Sequence, residues 1–299
     1  MSKNLKATLA AIICNVIFGF SFLFAKVALA YAHPLIILSV RFTLAFGVMN
    51  LMWLFKMVKL NLRGKPKKYI LLMAFAQPFL YFIFELYGIE LTSSALSGVI
   101  ISLVPVFVLI MSSIFLKEKP TLGQVLFSLL SLAAVIGISL GSNDGNENHL
   151  LGILLLMGAV IAGASFDILS RKESGAYSPF ERTYIMFLCG MIGFDITAAA
   201  VLGKDFVPLL KDAVVHPQFW GSIGYLAIIS SIAAFMLLNY AIGIIGTVKN
   251  ASFANLITVV SVIAGITILK EKLSLVQLLL CVVIIIGVIG VNKYNNENG

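Results

Sequence analysis

An all-α polytopic membrane protein, ten transmembrane helices arranged as two inverted five-helix repeats, is the fold class this 299-residue sequence predicts. Three observations carry that prediction. Hydrophobic residues make up 60% of the chain and charged residues 11%, whereas a water-soluble domain carries roughly 25% charged residues. The apolar residues gather in runs of about 20, the length that crosses a hydrocarbon core as a helix. A phrase recurs as well: "FLKEKPTLGQV" at residues 115–125 returns as "ILKEKLSLVQL" at 268–278.

The runs lie near residues 6–29, 34–55, 68–88, 93–116, 121–141, 150–169, 181–202, 218–242, 247–269 and 274–292. They are about twice the length of a barrel strand, and in lipid a helix satisfies its own backbone, so helices are expected. The mean hydropathy of +1.05 agrees. Ala28-Leu29-Ala30 has the form of a signal-peptide cleavage site, but the run before it is too long for one and contains Lys26, so the first run is read as a span.

Aligned at a constant offset of 153, Tyr87–Gly137 matches Tyr240–Gly290 without a gap, and a weaker echo links Gly19, Ser21 and Phe22 to Gly163, Ser165 and Phe166, and Pro34 to Pro179. The halves are therefore residues 1–141 and 150–292, joined by a loop at 142–149 and followed by a tail at 293–299. Five spans per half invert the second half in the membrane. With the N-terminus inside, 15 of the loop Lys and Arg residues fall on the cytoplasmic side and four outside, leaving Lys26 and Arg41 within spans. That bias places both termini on the cytoplasmic side of the membrane. The net charge of +8 thus speaks of topology and anionic lipid headgroups, with no nucleic-acid partner implied. Inverted repeats meeting at a midplane site are a recurring architecture of secondary transporters.

The first span carries Asn15, Gly19, Phe22 and Lys26 on one face. Lys26 has two open readings, a partner for an anion in a cavity or a side chain that snorkels to the surface. The second span opens at Pro34 and holds Arg41 about two turns in, where a charge pair is favoured over substrate contact. In the third, Gln77, Tyr81 and Glu85 are spaced by four, and Pro78 frees a nearby carbonyl. A charge at mid-bilayer costs about 2.5–3.5 kcal/mol on insertion scales, so Glu85 is read either as a proton-coupling group or as the partner of Arg41 or Lys26.

The fourth and ninth spans show small and polar residues at helical spacing, Ser94, Gly98, Ser102, Pro105 and Ser112 against Ala251, Asn255, Thr258, Ser261 and Gly265. Such faces allow close packing, yet Ser102 and Asn255 are repeat-equivalent and set a hydroxyl opposite an amide, with Pro105 as a hinge beside them. In the fifth span, Gly137 and Gly141 have a spacing too common to establish a homodimer. Asp167 in the sixth lies four residues before Arg171, which suggests an interfacial pair. Asp195 in the seventh has no basic neighbour in its span and is a second proton-coupling candidate, or a neutral acid bonded to an adjacent helix. Asn239 and Tyr240, in the eighth, offer a polar wall.

"NVIFGFSFLFAKVAL", "HPLIILSVRF" and "LVPVFVLIMSSIFLKEK" resemble the first, second and fourth helix motifs of EamA-type members of the drug/metabolite transporter superfamily. Phe18 stands where that family usually has Trp, Thr258 replaces the second repeat's Pro, and Met186 lies near where a second Arg would fall. The resemblance implies a central cavity lined mainly by helices 1, 3, 4, 6, 8 and 9, with helices 5 and 10 outside. It also implies a secondary transporter, and an exporter, of a small organic metabolite such as an amino acid or amphipathic compound. Proton antiport is the expected coupling, with uncoupled exchange as the alternative. The expected substrate-binding set is Asn15, Gly19, Gln77, Tyr81, Ser102, Asn239 and Asn255.

Enzyme chemistry finds little in the sequence. His33, His149 and His216 lack ligands at metal-binding spacing, and Cys14, Cys189 and Cys281 are odd in number and scattered through spans. There is no phosphate-binding glycine loop. Neither a metal nor any other cofactor is expected, and an intramembrane enzyme or lipid-handling protein is the less favoured reading.

Overall fold

The computed structural model describes residues 2–115, 121–141, 147–247, 250, 252–271 and 273–295. The first Lys117-Glu118-Lys119 turn, Lys249, Ala251, Lys272 and the end of the tail lie outside them, as do the side chains of Ser112 and Asn255.

Every regular element among the described residues is helical. In chain order they are α1 (Lys3–Leu29), α2 (Pro34–Leu54), α3 (Lys68–Leu91), α4 (Ser94–Ile101, resuming as Val104–Phe115), α5 (Leu122–Gly141), α6 (Glu147–Glu173), α7 (Pro179–Leu202), α8 (Phe206–Val214), α9 (Pro217–Ile245), α10 (Asn255–Thr267) and α11 (Leu275–Asn295). Helix α8 is an addition to the expected spans, so α9, α10 and α11 correspond to spans eight, nine and ten. Among the described residues, seven helices are long and apolar enough to cross a membrane, and the apolar stretches Leu122–Ala134, Leu256–Thr267 and Leu275–Gly290 are shorter.

Local chemistry sets the starts of several helices. Pro34 and Pro179 occupy first-turn positions, where a missing N–H costs nothing. Ser178 and Glu181 form a reciprocal capping box at the head of α7. Glu181 also holds the loop before α3, accepting from Asn61 N at 2.9 Å and pairing with Lys65 Nζ at 2.6 Å.

Packing follows the repeat. Helix α5 lies along α11: an added Cβ at Gly123 would stand 2.6 Å from the Tyr294 ring, and Gly137 faces Leu280. Gly137 therefore serves contact within the chain. Helix α10 packs between α1 and α4, and a Cβ on Gly19 would lie 2.5 Å from Val260 Cβ.

Two interruptions shape the middle of the bundle, and they are repeat-equivalent at the same offset of 153. Helix α3 breaks at Gln77, whose φ of −145° and ψ of 119° are extended, because the residue before a proline is driven from helical geometry and Pro78 supplies no N–H. The expected continuous stripe from Gln77 to Glu85 is thus broken below Tyr81. Helix α9 loosens into wider turns over 225–233, and there Ser230 and Ser231 take the places of Gln77 and Pro78. A third interruption, in α4, falls at Ser102 and Leu103, two residues before Pro105.

Two cations close helix ends in matching fashion. Lys26 Nζ donates to the carbonyls of Ile89 at 2.7 Å, Glu90 at 3.3 Å and Thr92, at the C-terminus of α3. Arg171 Nη1 donates to the carbonyls of Ile242 at 3.2 Å and Gly243 at 2.7 Å, near the C-terminus of α9. Ile242 and Gly243 are Ile89 and Glu90 shifted by 153, while Lys26 and Arg171 are separated like Pro34 and Pro179. Each cation meets the negative end of a helix dipole. Lys26 thus takes a structural place at a helix end and is not among the residues that line the central cavity. Arg171 is taken up by carbonyls instead of Asp167, which corrects the expected interfacial pair.

Candidate central cavity

A cavity of two adjoining lobes, about 40 and 70 Å³, lies in the middle of the bundle. Both lobes are walled by Phe18 of α1, Gln77 and Tyr81 of α3, Ile101 of α4 and Ile257 of α10. Helices α6 and α9 complete the walls, so the lining helices are those the resemblance implies, with Arg41 of α2 added.

The smaller lobe is charged. Tyr81 and Glu85 share a face of the half of α3 that follows its break, and Tyr81 Oη donates to Glu85 Oε1 at 2.9 Å. Arg41 lines the same lobe as Glu85, with no ion pair between the two. Its guanidinium stands 4.2 Å from the Phe82 ring centroid and donates through Nε to Ser231 Oγ at 2.9 Å. Nη2 reaches Ser230 Oγ at 3.4 Å, and Ser21 Oγ donates to that hydroxyl at 2.7 Å. The loosened turns of α9 thus supply the hydroxyls that orient Arg41.

The larger lobe is lined by Asn15, Asp167 and Asn250 among apolar walls. Asn15 donates through Nδ2 to Ala11 O at 2.7 Å. Asp167, 7% exposed, has no hydrogen bond or ion pair among the described residues. Asn250, 3% exposed, has an Oδ1 without a partner. Buried polar groups are paired in the great majority of cases, so two unpartnered acceptors on one small cavity set this lobe apart.

The cavity gathers Asn15, Gln77, Tyr81, Glu85 and Arg41. Other candidates sit elsewhere. Gly19 serves the approach of α1 to α10. Ser102 is fully buried and donates to Val99 O at 2.7 Å, and Pro105 is buried and not among the lining residues. Asn239 is fully buried in a network: it accepts from Ser170 Oγ at 2.8 Å and donates to Thr183 Oγ1 at 3.0 Å. The side chain of Asn255 is outside the described residues. Asp195 lies on a lateral groove between α2, α7, α8 and α9, accepting from Ser39 Oγ and, at 3.0 Å, from Thr43 Oγ1.

Sequence reasoning passed over Asn250 and Arg182 and placed Asp167 in an interfacial pair. Arg182 was counted as a loop charge, yet it is 1% exposed inside α7, donating through Nη1 to Ser170 O at 2.8 Å and through Nη2 to Asn239 O. The i, i+4 spacing suggested that Arg171 neutralises Asp167. The equivalence of Arg171 with Lys26, legible from the two prolines, was the signal that the cation had other work.

The EamA-like transporter family model matches residues 5–140 and 150–293, once in each half. Among curated relatives, the chain is 36% identical to "Uncharacterized transporter YcxC" of Bacillus subtilis over 293 residues, covering 96% of this chain and 92% of that one. It is 27% identical to "Uncharacterized transporter YetK" of the same organism, covering 93% and 84%. A crystal structure superposes with a TM-score of 0.65 at 18% identity over 98% of this chain and 99% of the other, which shows a shared fold.

Proposed function

The chain belongs to the EamA-like transporter family, and we propose that it is a secondary transporter of a small organic metabolite, working by alternating access across the central cavity. The observation that carries the proposal is a polar cavity at the meeting of both repeats, with Glu85 and Arg41 on its wall and interrupted helices on either side. Broken helices at the interface of inverted repeats are where such transporters bind cargo. In this reading the described helices, apart from α8, make ten spans, with the second five inverted and both termini cytoplasmic in the cell membrane. Asn15, Gln77 and Tyr81 contact substrate.

Glu271 supplies the gating element of the proposal. Its Oε1 and Oε2 accept from Ser94 N at 2.8 Å and Ala95 N at 3.0 Å, tying the turn before α11 to the N-terminus of α4. Opening this end of the cavity would require the Glu271 clasp to release. Glu85 carries the exchanged proton and substrate leaves the cell as the proton enters. Catalysis is no part of this reading.

The test is counterflow. Proteoliposomes preloaded with an unlabelled amino acid or amine are diluted into the same compound labelled at trace level. Transient accumulation above protein-free liposomes is expected for at least one compound, and Tyr81→Ala should lower it. Counterflow that persists while a pH gradient has no effect would favour the uncoupled exchanger. A protein that holds the compounds in binding assays yet never moves them would overturn the transporter reading.

A further inference from the structure

The larger lobe has a chemistry of its own. Asp167 is more than nine-tenths buried, lines the cavity and lacks a hydrogen-bonding partner among the described residues; Asn250, which lines the same lobe, has a buried side-chain carbonyl oxygen without a partner. Among its described lining residues there is no Lys, Arg or His. The aromatic rings of Phe18 and Tyr81 form part of the wall. A carboxylate, an amide carbonyl and two aromatic rings are all complementary to a cation with N–H donors: the first two accept its hydrogen bonds, and the rings offer their negative faces. An anion would meet Asp167 with nothing to compensate it, and a purely apolar guest would leave both acceptors unpaired.

Size narrows the class. At roughly 10–15 Å³ for each water-sized occupant, lobes of about 40 and 70 Å³ hold on the order of eight such groups between them. We infer that this lobe is a binding site for the protonated amino group of a small primary amine, with Asp167 as counter-ion, Asn250 as second acceptor and Phe18 and Tyr81 beside the charge. The rest of the amine extends past Gln77 toward the smaller lobe, where Arg41 can meet a carboxylate if the ligand carries one. This inference deepens the transport proposal and rests on it for the consequence that bound amine is moved; the site itself needs only the cavity.

The experiment measures binding, so that it stands apart from flux. Purified protein in lipid nanodiscs is titrated with butylamine and benzylamine, and with benzyl alcohol and benzoate as neutral and anionic counterparts, while thermal stabilisation is followed. Saturable stabilisation by the amines alone is expected. Asp167→Asn should weaken amine affinity by about tenfold or more, the range for losing a charge-assisted bond, and Asn250→Leu by less. Asp167→Glu keeps the charge and should recover part of the affinity, which separates loss of the counter-ion from a damaged fold. Equal stabilisation by alcohol and amine, unchanged amine affinity in Asp167→Asn, or no response to any amine would each overturn the inference. Amine binding without counterflow would leave the site standing and count against transport, while counterflow of an anionic or neutral compound without amine binding would do the reverse.

Discussion

Arg182 illustrates how a single side chain is fixed by what it leaves behind. Its guanidinium satisfies the backbone oxygens of Ser170 and Asn239, which join α6 and α9 to α7. Arg182→Met keeps the apolar stem and removes the donors, at a cost of about 1–3 kcal/mol for each acceptor left unpaired. A clearly lowered melting temperature in micelles is expected, against no change for the exposed Lys204→Met. An unchanged melting temperature would mean that those oxygens find other donors. At this scale the sequence was least informative. Glu85, Tyr81 and Gln77 were visible because ionisable and amide groups are costly in lipid. Asn239 looked the same as Asn15, yet one sits in a closed network and the other on the cavity, a difference set by neighbours on distant helices. Asp167 was misread because helical spacing names an available partner and says nothing of competing carbonyls.

Individual helices behave as levers whose ends are held by charge. Lys26 meets three carbonyls at the end of α3, and Glu271 meets two amides at the start of α4, so the turn between these helices is gripped from both sides. Lys26→Met should cost about 1.5–3 kcal/mol, read as a fall in melting temperature that Lys26→Arg largely avoids. Glu271→Gln keeps the shape and loses the charge. With Cys14, Cys189 and Cys281 replaced, a cysteine at Ala95 should then react with maleimide roughly fivefold faster, the equivalent of about 1 kcal/mol lost from the clasp. An unaltered rate would show that the clasp does not hold this end shut. The element scale was partly legible: apolar runs located the spans and Pro78 marked a break. The loosening of α9 over 225–233 was not, because no proline signals it and its trace is only the repeat register that maps Gln77 onto Ser230.

The whole molecule is the scale at which the sequence spoke most clearly, since length, hydropathy and a 153-residue echo are properties of the chain as a whole. The proposed topology makes its own prediction: cysteines introduced at Asn4 and Asn295 should both be protected from an impermeant reagent in intact cells, and one at Lys211 should be labelled. Labelling at either terminus but not at 211 would reverse the orientation. The central claim, that a small metabolite crosses through this cavity in exchange for a proton, is tested most directly by accumulation of a labelled amine or amino acid in proteoliposomes under an imposed pH gradient, comparing the unaltered protein with Glu85→Gln. The account predicts uphill accumulation when the gradient is oriented for exchange, abolished in Glu85→Gln while downhill counterflow survives. Accumulation that is the same in both proteins, or the same with and without the gradient, would contradict it.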